Sequence, residues 1–363
     1  MINSVCGVKS TGRICTDLAK ELEKNGHEVK IAYGREKVPS EYQKYAVRIG
    51  NDLDVKIHGL QSRIFDMAGF GSKKVTQKFI EWTKKYNPDV IHLHNIHGYY
   101  INIEILFQYL KKEFKGKIIW TLHDCWAFTG HCSHFTFVKC YKWEKKCFNC
   151  PQKRQYPKSI FFDNSKRNYE MKKKLFTGIK NMKIITPSKW LASLVKKSFL
   201  GEYKVEVSYN TIDTVVFKPT LGNFRKKHSL ENKKIILGVA STWNERKGIE
   251  DFFKLALKLD ETYSIVLVGL NNKQLKRCKG SIIGIQKTNS KTELAEIYSA
   301  ADIFFNPTYE DTYPTVNLEA EACGIDVITY HTGGAPETIH RKGSIIVEVG
   351  DLEKVLQILG GKI

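Results

Sequence analysis

The stretch Ile303-Phe-Phe-Asn-Pro-Thr-Tyr-Glu-Asp-Thr-Tyr-Pro-Thr-Val-Asn-Leu-Glu-Ala-Glu-Ala-Cys-Gly324 runs from an apolar segment through a polar turn into a helical pattern. Residues 303–306 read as a buried strand and 314–323 as a helix. Asp311 stands at the turn, and Glu319 follows two helical turns in, with seven residues between them. One carboxylate therefore sits at a helix N-terminus and the other deeper in the site. Acids so spaced suit hydrogen bonds to sugar hydroxyls at one end and ribose hydroxyls at the other. A solvated acidic face fits the pair alone. Asn306-Pro307 before it and Gly333-Gly334-Ala-Pro-Glu after it sharpen the signal.

Working outward, the second half repeats the alternation. Strands are predicted at 234–239, 264–268, 282–285 and 326–329, and helices at 247–259 and 291–299. In the first half an apolar stub at 2–5 precedes a helix at 11–25. Extended runs follow at 27–33, 89–93, 117–122, 183–186 and 204–208, with helices at 72–86, 101–114, 164–178 and 189–199. Strands alternating with helices make parallel sheets with right-handed crossovers, so the fold class is α/β and doubly wound in both halves. The polar, aperiodic stretch 210–233, with Pro219, reads as a linker between domains 1–209 and 234–363.

Open parallel sheets bind ligands at the carboxyl ends of their strands. Gly7-Val-Lys-Ser-Thr-Gly12-Arg13 lies at such a place, opening the first helix. Small residues let a phosphate approach the backbone there, and a tight turn is the plainer alternative. The glycine spacing comes near a Walker A loop, but Arg13 and Ile14 replace the Lys and Ser/Thr that an NTPase needs. His92-Leu-His94-Asn-Ile-His97 ends another strand. A metal would suit His92 and His94, which share a face; polar acceptor-side contacts are the favoured reading.

Four cysteines form the pattern Cys132-x7-Cys140-x6-Cys147-x2-Cys150 inside a long insertion, 124–152, poor in aliphatic residues. Such a loop needs a staple. A Cys₄ structural zinc supplies one; free thiols or disulfides are the alternatives. The other five cysteines, Cys6, Cys15, Cys125, Cys278 and Cys323, are isolated among the nine.

With 42% hydrophobic residues and 9 prolines in 363, the chain can bury two cores. It shows neither a membrane-spanning run nor a secretory leader, which points to the cytoplasm. Lys and Arg outnumber Asp and Glu 58 to 38, a formal charge of +20. An anionic partner follows, such as a phosphorylated ligand, a membrane surface or a nucleic acid. Solvated lysine faces account for many of these charges, among them Lys172-Lys173-Lys174.

At this point the chain resembles the group-1 bacterial glycosyltransferases, glycosyltransferase family 4, with the retaining GT-B fold. The residues that carry the resemblance are Asp311 and Glu319, Lys247 in Arg246-Lys247-Gly248, and the Gly12 loop. His123-Asp124 at a strand end and Asn210-Thr-Ile-Asp213 with Phe217 and Pro219 match as well. The resemblance implies two Rossmann-like domains whose sheets face across a cleft. Three departures stand out: Asp in place of the first Glu, Ser241 in place of the usual Arg, and Thr211 in place of a Gly.

The implied activity is transfer of a sugar from a nucleotide-sugar donor to a glycan or lipid-diphosphate-linked acceptor in surface polysaccharide synthesis. No cofactor or catalytic metal is implied. The catalytic set is His123, Arg246, Lys247 and Asp311. The donor set adds Gly12, Thr312, Tyr313, Pro314, Thr315 and Glu319, and the acceptor side has His94, His97 and Asp124. Arg246 and Lys247 would stabilise the departing diphosphate, Glu319 would hold the ribose and Asp311 the donor sugar. No nucleic acid is implied, and excess charge would hold the first domain at an anionic membrane surface. A polyanion-binding protein and a silent sugar-binding module are the competing classes. An epimerase or phosphorylase lacks its fingerprint.

The short stub at 2–5 and the stop at Gly360-Gly361-Lys362-Ile363 suggest a shortened form of the family fold. That reading expects an exposed apolar patch on the first domain, where a further helix would dock.

Overall fold

A computed structural model describes residues 1–361; Lys362 and Ile363, at the end of the terminal stretch discussed above, lie outside it. The chain divides into two compact units, Met1–Tyr209 and the remainder from Asn210. No helix among the described residues is long and apolar enough to cross a membrane.

The first unit contains β1 (Ile31–Tyr33), β2 (Ala46–Arg48), β3 (Val90–Leu93), β4 (Lys117–Thr121), β5 (Met182–Thr186) and β6 (Val205–Val207). All neighbouring pairs are parallel: β1 with β2, and β3, β4, β5, β6 in that order. The expected first strand is reduced to one residue. Ile2 bridges Ala32 on one side and Leu93 on the other, so a single position joins the two ladders. Its amide donates to His92 O (2.8 Å), and its carbonyl accepts from His94 N (2.9 Å). Beyond Asn3 the chain leaves the sheet, and Ser4 O accepts from Gly34 N and Arg35 N instead. Trp120, Phe107 and Phe176 fill the centre of the core, with Phe107 and Phe176 centroids 4.4 Å apart.

The second unit is one six-stranded parallel sheet. It consists of β7 (Lys234–Val239), β8 (Tyr263–Val268), β9 (Ile282–Ile285), β10 (Ile303–Asn306), β11 (Asp326–Tyr330) and β12 (Ile345–Val347). The order across it is β12-β11-β10-β7-β8-β9. Successive residues of β7 serve opposite faces: Ile236 joins one core, and Ile235 and Leu237 the other. Burial on both faces is why this strand reads as an unbroken apolar run.

Two departures from the sequence reading matter. Segment 210–233 is no loose connector, because Phe217, Phe224 and Leu230 are buried in the second unit's core. The helix Asp52–Phe65 was not expected at all. Asn51 Oδ1 accepts from Leu53 N (2.8 Å) and Asp54 N (3.1 Å), and Asp54 returns a bond to Asn51 N (2.9 Å). That capping box starts the helix, and Leu53, Ile57, Leu60 and Ile64 carry helical spacing that the sequence reading passed over. The final helix, Leu352–Gly361, contributes Val355 and Leu359 to the second unit's core, and Tyr263 OH donates to Leu359 O (3.1 Å).

Buried histidines give the first unit an acid sensitivity. His58 Nε2 accepts from both Gly69 N (3.2 Å) and Gly71 N (3.1 Å), so it carries no proton there. Burial holds His58 down to about 4, His92 to about 3 and His123 to about 4, all from 6.5. Between those values and 6.5 the unfolded chain binds protons that the folded chain does not. Stability is therefore complete above about pH 6.5 and falls as pH drops from there through about 3 to 4, by at most roughly 3 kcal/mol for His58 or His123 and roughly 5 kcal/mol for His92. We expect circular-dichroism melts to show the melting temperature falling steeply between pH 6.5 and 4.5. A flat profile over that window contradicts the assignment.

Candidate active site

In the second sheet the strand order turns at the β7–β10 pair, where Ile236 lies beside Ile303. The helix after β7, Ile249–Ala256, sends Ile249, Phe252 and Leu255 into one core; the helix after β10, Thr315–Ala322, sends Ala320 into the other. The two connecting loops are thereby driven apart and leave a crevice at the strands' carboxyl ends. Arg246 and Lys247 come from the first loop, and Asp311 through Thr315 from the second.

The loops are stitched together at short range. Tyr309 N donates to Arg246 O (2.8 Å), and Arg246 Nη1 donates to Glu310 O (2.9 Å). Lys247 Nζ forms an ion pair with Asp311 Oδ2, while Asp311 Oδ1 accepts from Tyr313 N (3.2 Å). Glycine makes two of these approaches possible. At Gly248 (φ +72°) a Cβ would stand 2.1 Å from Pro307 O, and at Gly333 (φ +55°) one would stand 1.9 Å from Asp311 O. A side chain at 248 would push the basic loop from the acidic one, and a side chain at 333 would push the loop after β11 away from Asp311.

The helix Thr315–Ala322 begins at Pro314 with no side-chain cap, so its first-turn N–H groups are available to an anion. Thr312, Tyr313 and Pro314 pack inward, whereas Thr315 is half-buried. Glu319, also half-buried, accepts from Tyr298 OH (3.1 Å). Burial raises the Tyr298 phenol well above its usual range, so it remains a donor. Asn317 ties the helix to the sheet, taking a bond from Asn306 Nδ2 (2.8 Å) and giving one to Thr338 Oγ1 (2.8 Å).

The first sheet turns at Ile2, between β1 and β3. The histidines of the second expected set stack beside it: His92 on His94 at 4.2 Å, and His94 Nδ1 3.1 Å from His123 Nε2. His94 is only 2% exposed, so it supports His123 from beneath and is not itself presented to a ligand. His97 is buried as well, between Asp124 Oδ2 (2.9 Å) and Tyr156 OH (3.0 Å). Burial alone would raise the Asp124 carboxyl, but the charge and hydrogen bond of His97 prevail and hold it far below the usual range. His92, His123 and Asp124 are the half-buried members of this group. Gly12 lies within the helix Lys9–Lys24, buried against Val5, with its carbonyl accepting from Gly7 N (3.2 Å). The exposed residues of that turn are Lys9 and Ser10 instead.

Cys132, Cys140, Cys147 and Cys150 are all reduced and line one small cavity with His131 and Trp143. Gly130 N donates to Cys147 Sγ (3.2 Å). Among the described residues, no three His, Cys, Asp or Glu side chains are grouped as a bound ion would require. The thiols share a cavity without forming a coordination set.

Several residues escaped the sequence reading. Lys172, assigned there to a solvated run, is 1% exposed, and its Nζ donates to Trp126 O (2.8 Å) and Thr129 O (3.0 Å). It fixes the turn that follows Asp124. Burial lowers its ammonium to about 7. Its spacing from Asn168, Tyr169, Leu175 and Phe176, all on the buried face of their helix, was the available signal. Tyr298 and Tyr156 had none.

A family model described as Glycosyltransferase Family 4 matches residues 11–216, and one described as Glycosyl transferases group 1 matches residues 233–359. The chain is 25% identical over 304 residues to an Escherichia coli K12 protein assigned to colanic acid biosynthesis as the glycosyl transferase WcaC, covering 82% of this chain and 72% of that one. Sucrose-phosphate synthase from Thermosynechococcus elongatus has a similar fold, with a TM-score of 0.70 at 16% identity over 99% of this chain and 88% of that chain. Anabaena HepE, solved in complex with UDP-glucose, gives a TM-score of 0.63 at 12% identity, with 99% and 88% covered.

Proposed function

The chain belongs to glycosyltransferase family 4, and from that premise we propose that it transfers a sugar from a nucleotide-sugar donor to a glycan or lipid-diphosphate-linked acceptor, with retention at the anomeric carbon. The observation that carries this reading is the Lys247–Asp311 ion pair beside Arg246 and an uncapped helix N-terminus, at the turn of strand order. A donor diphosphate entering there meets two cationic side chains and the helix N–H groups. Lys247 exchanges its carboxylate partner for phosphate, and Asp311 becomes available to the sugar hydroxyls. As the glycosidic bond breaks, charge grows on the departing phosphate, where Arg246 and Lys247 stabilise it most. Glu319, held by Tyr298, faces the ribose. Within the first unit, His123, neutral at pH 7, is the proposed contact for a sugar hydroxyl, supported by His94 beside the His97–Asp124 pair. The name of the Escherichia coli relative favours a surface polysaccharide as the product class.

A thermal-shift screen against UDP-, GDP- and ADP-sugars tests the donor directly, because a ligand of the folded state raises the melting temperature. We expect one nucleotide series to raise it. Glu319→Ala should weaken that nucleotide by about 1.5–3 kcal/mol through loss of a charge-assisted bond. Wild-type affinity in a folded Glu319→Ala protein contradicts the ribose role, and unchanged turnover in Lys247→Ala contradicts the leaving-group role.

Side chains supply the positive charge at the donor, so the proposed transfer needs no divalent ion. Activity should survive EDTA. The cysteine loop is a separate matter. Four thiols on one cavity are the donor chemistry of a structural zinc, which Cys132, Cys140, Cys147 and Cys150 would hold. Elemental analysis should then find one zinc per chain, lost in Cys147→Ser/Cys150→Ser. Metal-free protein with all four thiols titratable contradicts the zinc; activity abolished by EDTA contradicts metal-independent transfer.

A further inference from the structure

Asp251 is a buried carboxylate held by two phenols. It lies in the first turn of the helix Ile249–Ala256, just past Gly248, and is 2% exposed. Its Oδ2 accepts from Tyr309 OH (2.7 Å) and from Tyr330 OH (2.8 Å). Burial, reinforced by Asp251, raises both phenols above their usual range, so both keep their protons and donate. The helix dipole favours a negative charge in a first turn. Lys254 Nζ stands 3.4 Å from Oδ1, but the Lys254 side chain is 62% exposed and that pair adds little.

Tyr309 makes this carboxylate more than a satisfied core group. Its amide donates to Arg246 O (2.8 Å) at one end of segment 246–251, and its hydroxyl reaches Asp251 at the other. Within the segment, Asp251 N donates to Gly248 O (3.1 Å), so the basic loop and the helix form one hydrogen-bonded run. Thr332 Oγ1 donates to Tyr309 O (3.0 Å) and fixes its carbonyl too. Lys247 lies inside the braced segment, and its partner Asp311 follows Tyr309 closely in the chain. Both members of the ion pair therefore hang from one brace. Tyr330 differs: it belongs to β11, and its bond to Asp251 ties the helix to the sheet without spanning the basic loop.

We propose that Asp251 is a positioning residue for the donor diphosphate, setting through Tyr309 the distance between the loop of Arg246 and Lys247 and that of Asp311. The role rests on the diphosphate reading of the crevice given above. Apolar packing is non-directional, whereas a hydroxyl bonded to a fixed carboxylate specifies one spacing. Groups that must meet a phosphate together need that precision.

Calorimetric titration of the full chain with inorganic pyrophosphate tests this whatever the donor base. The wild type should bind, and Tyr309→Phe should weaken binding about tenfold, the equivalent of one lost charge-assisted phosphate contact. Asp251→Asn should do the same. The double variant should be no weaker than the worse single one, because both act through one bond. Tyr330→Phe is the comparator. It removes a bond to the same oxygen and should lower the melting temperature as much as Tyr309→Phe does, yet keep pyrophosphate affinity within about twofold of the wild type. Equal losses of affinity in the two tyrosine variants, or none in Tyr309→Phe, overturn the role of Asp251 and leave the diphosphate reading standing. Additive losses in the double variant overturn the path through Tyr309. A wild type that takes up no pyrophosphate overturns the diphosphate reading and this role with it.

Discussion

The parallel pairing of β7 with β10 is the constraint on which the second unit depends. On one side of it the sheet continues to β8 and β9, on the other to β11 and β12. Because β7 is buried on both faces, the helices after β7 and β10 leave to opposite sides of the sheet. Their loops diverge, and a crevice opens at a place fixed by the backbone and not by any one side chain. This is the same geometry by which doubly wound sheets hold nucleotides in general. It explains why a chain of the GT-B fold can share that fold with sucrose-phosphate synthase at 16% identity.

What this chain adds is a crevice closed on itself by charge. Lys247 and Asp311 face each other across the diverging loops, each side chain about four-fifths buried. Breaking a partly buried pair and leaving both ions alone is costly. A ligand that supplies a phosphate to one and hydroxyls to the other avoids that cost, which makes the pair selective for a molecule with both groups. The glycine at 248 lets the two loops lie near enough for the pair to form, and Gly333 lets the loop after β11 close on Asp311. The Asn306–Asn317–Thr338 chain keeps the helix from drifting away from the sheet.

The strand and the helix that carry Asp311 and Glu319 were legible because each leaves a periodic trace. Reading by runs and not by period passed over the helix Asp52–Phe65, although Leu53, Ile57 and Leu60 carry helical spacing. It also misplaced Lys172: three successive lysines look solvated, yet only the one on the buried face of its helix is enclosed. The first strand shrank to Ile2 because the chain leaves the ladder just after Asn3, whose amide makes the last bond, to Ala32 O. The polar stretch 210–233 looked like a linker, although three well-spaced apolar residues, Phe217, Phe224 and Leu230, anchor it. Tyr298 could not have been found from spacing, since an aromatic in an amphipathic helix is ordinarily packing and only the fold brings its hydroxyl to Glu319. Likewise, the histidines at 92, 94 and 97 pointed correctly to a strand end. Only the fold shows that two of them are supports and that His123 and Asp124 are the more open pair.

Hydrogen exchange, measured with and without the nucleotide-sugar that most raises the melting temperature, tests the central claim most directly. If the donor diphosphate occupies the crevice between the diverging loops, bound protein should show slowed exchange at amides within 240–248 and 307–316. The helix start at Thr315 and Val316 should be included, because its uncapped N–H groups take up the phosphate. Saturating ligand that leaves both loops exchanging as in the free protein, while slowing exchange elsewhere, would contradict the placement of the donor at the β7–β10 turn.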